Sequence, residues 1–456
     1  MSPSVSEGYP ETLRGPYTGS EVQSPGMTAT ARFIAGAALL GLLLRLGFGL
    51  WYWVDKPLMK DEQEYLLLAT RVATGHGFTY PAAPSAGFFE RPPGFVVLLA
   101  TILVATQDAL VTTAAPSSLA ELPQTSSDTP AAITVVQCLI GTLVVLLVAA
   151  LAGRAAGPRA ARLGAIAAAF YPPIAWVSGY VLAEPLYSAL ALGTAWLLQR
   201  ACDVTGANRI RLGVLAGIVA GAALLTKEAM IFFLPLAALW LLWHKQRRVI
   251  AAFAVGGAIV VLPWIVRNYV AHDQFILTAA HGGVTMWTGN NPLARGEGDL
   301  AANPVMGQAR RALEAQHAGL SNQQMDDVYY REVRNFVLQQ PGRWLLLEAR
   351  KLFYTFVPIG PSYTLHSNRY YIASLVSYGL LAPFALFGLW QLWRRPGPSP
   401  LWALGLLALS SVLVCLVFFP QERFRIPVLD PAALVAAAVA VASRLRQGYG
   451  GQARRP

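Results

Sequence analysis

Long uncharged apolar runs recur along the chain, and short polar or basic stretches separate them. "FIAGAALLGLLL" (33–44) and "AAFAVGGAIVVLPWIV" (251–266), with their flanks, are long enough to cross a hydrocarbon core of about 30 Å as helices. The pattern predicts about ten crossings: 31–54, 130–152, 163–181, 184–200, 212–226, 229–243, 249–266, 370–393, 400–419 and 426–443. Ten-residue segments of strict apolar–polar alternation are absent, which argues against a transmembrane barrel. The expectation is an all-α polytopic membrane protein, with interfacial helices beside the spanning ones.

Orientation follows from the basic loops. Arg154, Arg159 and Arg162; Arg200, Arg209 and Arg211; Lys245, Arg247 and Arg248; Arg394 and Arg395; and Arg444 and Arg446 form five such clusters, opposed only by Asp203. The positive-inside rule puts them in the cytoplasm. Residues 107–129 carry three acids and no base, so they belong outside. "RPPGFVVLLATILVAT" (91–106) would invert every later loop if it crossed, and it is short for a span. It is expected to be interfacial or re-entrant. "RWLLLEARKLFYTFVP" (343–358) carries Arg350 and Lys351 in mid-run and is expected to lie along the outer surface. The chain then divides into a polar cytoplasmic tail (1–30), expected to be disordered, a transmembrane domain (31–443) with outer segments 55–129 and 267–369, and a second cytoplasmic tail (444–456).

With the orientation signals set aside, a small set of charges remains. Asp61, Glu62, Glu64, Glu90 and Arg91 lie on the first outer segment. Glu184 opens a crossing at its outer end. Lys227 and Glu228 occupy an outer turn, Arg267 ends a crossing, and Glu422, Arg423 and Arg425 share the turn "FPQERFRIP". All fall at one membrane level, where much of the insertion cost of a buried charge is avoided. Arg267, Arg423 and Arg425 are equally consistent with snorkelling to headgroups. Glu228 reads as a solvated helix-start acid and Glu64 as a surface residue of an interfacial helix; Glu64→Gln is expected to be much milder than Asp61→Asn, because Glu64 lies near the same helical face as Asp61 without being the base. Asp61 and Glu62 are harder to dismiss, since acids gain nothing by default beside an anionic leaflet. Transfer from a lipid phosphate needs this set: cations to hold the leaving phosphate and a carboxylate to take the proton of the attacking hydroxyl.

The net charge of +11 does not point to nucleic acid, because Lys and Arg collect in the loops as orientation signals do. The three cysteines, Cys138, Cys202 and Cys415, have no metal-ligand spacing and form no disulfide framework. Five of the six histidines (His76, His272, His281, His317 and His366) are on outer segments, and none forms an i, i+4 pair, so no metal site is expected.

The order and spacing of "KDEQEYLLLA", "RPPGFVVLLA", "VLAEPLYSALAL", "LLTKEAMIFFLP", "PWIVRNYVAHDQFI", "WTGNNP" and "ERFRIPVLDP" resemble GT-C glycosyltransferases of the bacterial protein mannosyltransferase and aminoarabinose transferase group. The resemblance implies a GT-C fold, a polyprenyl-phosphate sugar donor, and transfer on the outer face of the cytoplasmic membrane. It implies an acidic base in the first outer loop, which maps onto Asp61, with Glu62 as its neighbour. A second acid maps onto Glu184, and the base before the Pro-Pro pair maps onto Arg91, a position that contacts the donor phosphate in the family. A large soluble domain after the last crossing is not expected, which sets the chain apart from an oligosaccharyltransferase.

The combined expectation is an inverting transferase. Arg91, Lys227 and Arg267 would stabilise the departing phosphate, with Arg423 beside them. Asn290 and Asn291 would either bind sugar hydroxyls or simply build an Asn-Asn-Pro turn. The expected partners are membrane lipid, the lipid-linked donor and a protein, lipid or glycan acceptor; no metal, further cofactor or nucleic acid is expected. The alternative is a transporter or flippase of lipid-linked sugars. That reading predicts charges and broken helices near the bilayer midplane, whereas the charges here gather at one face. A silent structural or assembly protein would need no acid–base set.

Overall fold

Two prolines in succession explain the most unusual helix. Pro172 and Pro173 lack the N–H groups that would bond the carbonyls of Ala168 and Ala169, four residues earlier. The segment therefore breaks into Pro158–Phe170 and Pro172–Gly179, bent by 61°. The two orphaned carbonyls are taken up by Arg45, which is fully buried in the first apolar helix. Its Nη2 donates to Ala168 at 3.1 Å and its Nη1 to Ala169 at 3.1 Å, with a further bond to Gly41 at 2.9 Å.

The computed structural model describes residues 25–80, 91–112, 116, 118–273, 275–279, 282–298, 303–359, 368–395 and 399–452. Among them the chain is helical throughout, and its one β feature is an isolated bridge between Pro57 and Thr125. Five helices have the length and apolar character of spans: Thr28–Tyr52, Ala131–Ala156, Gly206–Thr226, Arg247–His272 and Asn368–Trp393. The bent pair is a sixth. Glu184–Asp203, Glu228–Trp243, Trp402–Val417 and Leu429–Gln452 are shorter or more polar helices. Each expected crossing thus has a helix, and the fold is the all-α polytopic one. The tails differ from expectation at their inner edges. The first helix already begins at Pro25, and the last continues to Gln452, through residues expected to be disordered.

Small residues set the packing. Gly213, Gly217 and Gly221 recur every fourth residue on Gly206–Thr226 and lie against Ala252, Gly256 and Gly257 of Arg247–His272. A Cβ on Gly217 would collide with the Phe253 carbonyl, and one on Gly256 with the Val214 carbonyl. This close backbone approach replaces the hydrophobic drive that lipid cannot supply.

Pro93–Ala105 has 13 residues, which at about 1.5 Å per residue falls well short of a bilayer. It packs between Lys60–Ala73 and Gly206–Thr226, with Phe95, Val96, Leu99 and Leu103 fully buried. Its opposite face, with Val97 and Val104, is exposed. Pro341–Phe356 exposes Leu345, Leu346, Leu352, Phe353 and Phe356 on one side, the face of an interfacial helix. Its buried side carries Lys351, whose Nζ donates to Glu348 at 2.7 Å, Asn290 Oδ1 at 2.8 Å and the Leu416 carbonyl at 2.7 Å. That lysine ties Pro341–Phe356 and Asn290 to the end of Trp402–Val417, just before the turn carrying Arg423.

Candidate active site

"KDEQEY" begins the helix Lys60–Ala73 and places Asp61 and Glu62 in its first turn, where the helix dipole favours acids. The three acids of this stretch do different things. Glu62, buried, reaches back to accept the Met59 N–H at 2.9 Å and accepts the Val181 N–H at 2.8 Å with its other oxygen. It clamps the start of Lys60–Ala73 to the segment leading into Glu184. Burial pushes its carboxyl above the usual carboxylate range, outweighing the two N–H donors that favour the charged form. Asp61 and Glu64, three residues apart on one helical face, converge on Arg91. Arg91 Nη2 lies 2.5 Å from Asp61 Oδ1, while its Nε and Nη2 donate to Glu64 Oε2 at 2.9 and 2.6 Å. The guanidinium also rests over the Tyr65 ring at 5.3 Å. Pro92 and Pro93 follow Arg91 directly and stiffen the chain that presents it.

The other oxygen of Asp61 is bound by Arg423, from the short helix Glu422–Arg425. Asp61 is therefore held between two guanidinium groups. Burial alone would raise its pKa, but Arg423 and then Arg91 outweigh it and hold the carboxyl well below the usual range. Beside this triad, Lys227 Nζ lies 2.6 Å from Glu184 Oε1. Glu184 starts its helix and Lys227 follows the end of Gly206–Thr226, each at the terminus that suits its charge. Burial lowers the Lys227 pKa, and the Glu184 carboxylate only partly restores it. The Phe424 ring lies 5.1 Å from Lys227 Nζ and 5.5 Å from the Arg423 guanidinium.

These groups line one cavity of about 310 Å³. Asp61, Arg91, Glu184, Lys227, Glu228 and Arg423 are its charged lining, and Leu182, Val414, Phe418, Phe419 and Pro427 are among its apolar lining. Glu228, expected to be a solvated helix-start acid, thus borders the cavity and accepts from Thr278 Oγ1 at 3.2 Å. Such a space can hold an anionic head group beside an apolar chain and offers a carboxylate to a hydroxyl. No group of three or more metal-ligating side chains occurs among the described residues.

Residues 124–268 match the family model for dolichyl-phosphate-mannose-protein mannosyltransferase. The fold is similar to ArnT from Cupriavidus metallidurans, in a crystal structure bound to undecaprenyl phosphate, with a TM-score of 0.56 at 15% identity, covering 91% of this chain and 60% of that one. It is also similar to the archaeal oligosaccharyltransferase AglB from Archaeoglobus fulgidus, in complex with an inhibitory peptide and a dolichol-phosphate, with a TM-score of 0.55 at 14% identity, covering 94% of this chain and 52% of that one. The chain has the GT-C fold. It spans only 60% of the ArnT structure and 52% of the AglB structure. No curated protein matches the chain by sequence.

Within this GT-C frame, the remaining expected site residues separate from the cavity. Arg267 does not line it; its guanidinium packs over Trp264 at 5.2 Å and Phe78 at 5.9 Å and donates to Asn268 Oδ1 at 3.1 Å. Asn290 is buried and fully engaged, accepting from Lys351 and donating to the carbonyls of Met286 and Val417 at 2.9 and 2.8 Å. Asn291 donates to Trp287 at 2.7 Å and accepts the Leu293 N–H at 2.7 Å, the bonds of a turn. The turn reading of "GNNP" is the one the geometry carries, since neither amide faces the cavity. Glu62 likewise points into backbone and is not part of the lining. Glu90, His281 and His366 lie outside the described residues. The residue that sequence reasoning undervalued is Glu64. It is buried at 5% exposure rather than on the surface, and it anchors Arg91. Its i, i+3 spacing from Asp61 places it near the same helical face, as expected, but nothing local signals its burial or its bonds to Arg91.

Proposed function

We propose that the protein is an inverting glycosyltransferase that moves a sugar from a polyprenyl-phosphate donor to an acceptor hydroxyl on the outer face of the membrane. The observation that carries this reading is Asp61 held between Arg91 and Arg423 in a cavity lined by both charged and apolar side chains. Asp61 takes the acceptor proton as that oxygen attacks the anomeric carbon from the side opposite the phosphate. Arg91, Arg423 and Lys227 stabilise the charge that develops on the departing phosphate. Glu184 orients Lys227 and borders the sugar. The apolar lining receives the first part of the prenyl chain. The lipid phosphates bound by the ArnT and AglB structures support a lipid-phosphate donor here.

The outward orientation rests on the five basic loops. They put the ends that carry Asp61, Glu184, Lys227 and Arg423 on the side opposite the cytoplasm. The acceptor is a protein, lipid or glycan hydroxyl. Reconstituted protein supplied with a panel of polyprenyl-phosphate sugars and membrane extract is expected to release polyprenyl phosphate and form a product of inverted anomeric configuration. Sugar movement across the bilayer without phosphate release would identify a flippase instead, and a retained configuration would remove Asp61 as a simple base.

A further inference from the structure

Every cation on the cavity wall already has a carboxylate. Arg91 is paired with Asp61 and Glu64, Arg423 with Asp61, and Lys227 with Glu184. A sugar phosphodiester brings another negative charge into this space. It must take a cation from a carboxylate or sit desolvated without a charged partner, which is costly in a confined cavity. The three cations are not equally free to move. Arg91 is fixed by three short contacts to two acids and by the Tyr65 ring. Lys227 is bound to a Glu184 side chain that is only 4% exposed. Arg423 is the loosest. Its side chain is 35% exposed, against 18% for Arg91 and 21% for Lys227, and its polar support apart from Asp61 is Gln421, two residues away on its own turn, at 2.8 Å.

We propose that Arg423 is a shared ligand, which pairs with Asp61 Oδ2 in the arrangement described and passes to the donor phosphate on binding, so that the phosphate itself uncovers the base. The idea rests on the glycosyltransferase reading above and deepens it. Asp61 keeps Arg91 on Oδ1 and so stays oriented, while Oδ2 opens toward the cavity. Losing one of the two guanidinium groups that depress its proton affinity also makes it a better acceptor. The acceptor hydroxyl then gives its proton to Oδ2 as its oxygen bonds to the anomeric carbon. The bond from that carbon to the phosphate oxygen breaks, and its electron pair leaves on the phosphate held by Arg423. The base is silent until donor arrives, which protects the site from deprotonating a hydroxyl with nothing to attack.

The test uses the purified full chain and two probes, undecaprenyl phosphate and uncharged undecaprenol, in equilibrium binding. If Asp61 and the phosphate compete for Arg423, Asp61→Asn binds undecaprenyl phosphate about tenfold more tightly than wild type, equivalent to about 1.4 kcal/mol, with undecaprenol unchanged. Arg423→Gln binds the phosphate several-fold more weakly, and in the double variant the gain from Asp61→Asn disappears. Unchanged or weaker phosphate binding by Asp61→Asn overturns the proposal, as does a gain that survives Arg423→Gln. Should Asp61→Asn fail to fold, Arg423→Gln decides alone, and wild-type phosphate affinity in that variant overturns the sharing. A wild-type protein that prefers neither probe refutes the lipid-phosphate reading itself. A clear preference for the phosphate with no gain in Asp61→Asn refutes only the sharing of Arg423.

Discussion

Glu64→Gln tests whether the acid three residues after Asp61 is part of the site or a bystander. In the structure one oxygen, Oε2, takes both Nε and Nη2 of Arg91, at 2.9 and 2.6 Å, and the Glu64 side chain is 6% exposed. Glutamine keeps an oxygen that can accept but removes the charge. A hydrogen bond to a charged group contributes about 1.5–3 kcal/mol; Arg91 stays cationic, so each bond to glutamine remains charge-assisted and loses only about 1 kcal/mol. Two weakened bonds thus amount to about 2 kcal/mol, less whatever Asp61 recovers by drawing Arg91 closer. Divided between folding and transfer, this predicts a small loss of thermal stability and a fall in kcat of about tenfold, since about 1.4 kcal/mol is tenfold in rate. The assay is single-turnover sugar transfer in proteoliposomes, with KM measured alongside. Because Arg91 acts as phosphate charge develops, the loss belongs in kcat more than in KM. A Glu64→Gln enzyme with wild-type kcat and wild-type melting would show that Asp61 alone holds Arg91, and that Glu64 is the surface residue its sequence context suggests.

The other expectations are simpler. Asp61→Asn is expected to lose transfer by about 10²–10⁴-fold while still binding donor, measured as phosphate release with donor in excess; transfer at the wild-type rate would move the base elsewhere. Since Arg423 and Arg91 outweigh burial and depress the Asp61 pKa, the group stays ionised as pH falls through its ordinary value of about 3.9. Its ion pairs stabilise the fold fully above that value and are lost only below it, so kcat/KM should show no acid limb from Asp61 above about pH 4.5. Arg267→Gln is expected to change transfer by less than about threefold, because the side chain lies outside the cavity; a loss comparable to that of Arg91→Gln would contradict this. Arg45→Met leaves the carbonyls of Ala168 and Ala169 without a donor, at about 1–3 kcal/mol for each buried group. It should appear as a lower melting temperature in detergent, and unchanged melting would refute the capping role.

The helical architecture was legible because lipid imposes a blunt code: each apolar run must close its own hydrogen bonds, so run length alone predicts a helix. The Pro172–Pro173 pair also announces, in plain sequence, two carbonyls that need another donor. That Arg45 would be the donor was not legible, because nothing local links residue 45 to residue 168. The same limit governs the site. Arg91 and Arg267 look alike as sequence, each an arginine at an apolar boundary, yet one meets two carboxylates and the other two aromatic rings. Glu62 and Glu64 are equally acidic neighbours of Asp61, and helical phase separates them: position 64 shares a face with 61, while position 62 turns toward the backbone of Val181. Lys351 lies in mid-run on an amphipathic helix, yet it is buried while Leu345, Leu346 and Leu352 face out.

The bond between Arg45 and the broken helix has a consequence for how the chain is made. Arg45 is synthesised more than a hundred residues before its acceptors. Until Pro158–Gly179 arrives, the guanidinium sits on a lone helix in the bilayer, at about 2.5–3.5 kcal/mol if it lies near the centre. The carbonyls of Ala168 and Ala169 enter equally incomplete. Each segment carries polar groups that only the other satisfies, so the insertion of the two is coupled. A chain truncated before residue 158 should leave its first helix shallow, displaced or bound by an insertion factor, and translation through the proline pair is the moment at which it settles.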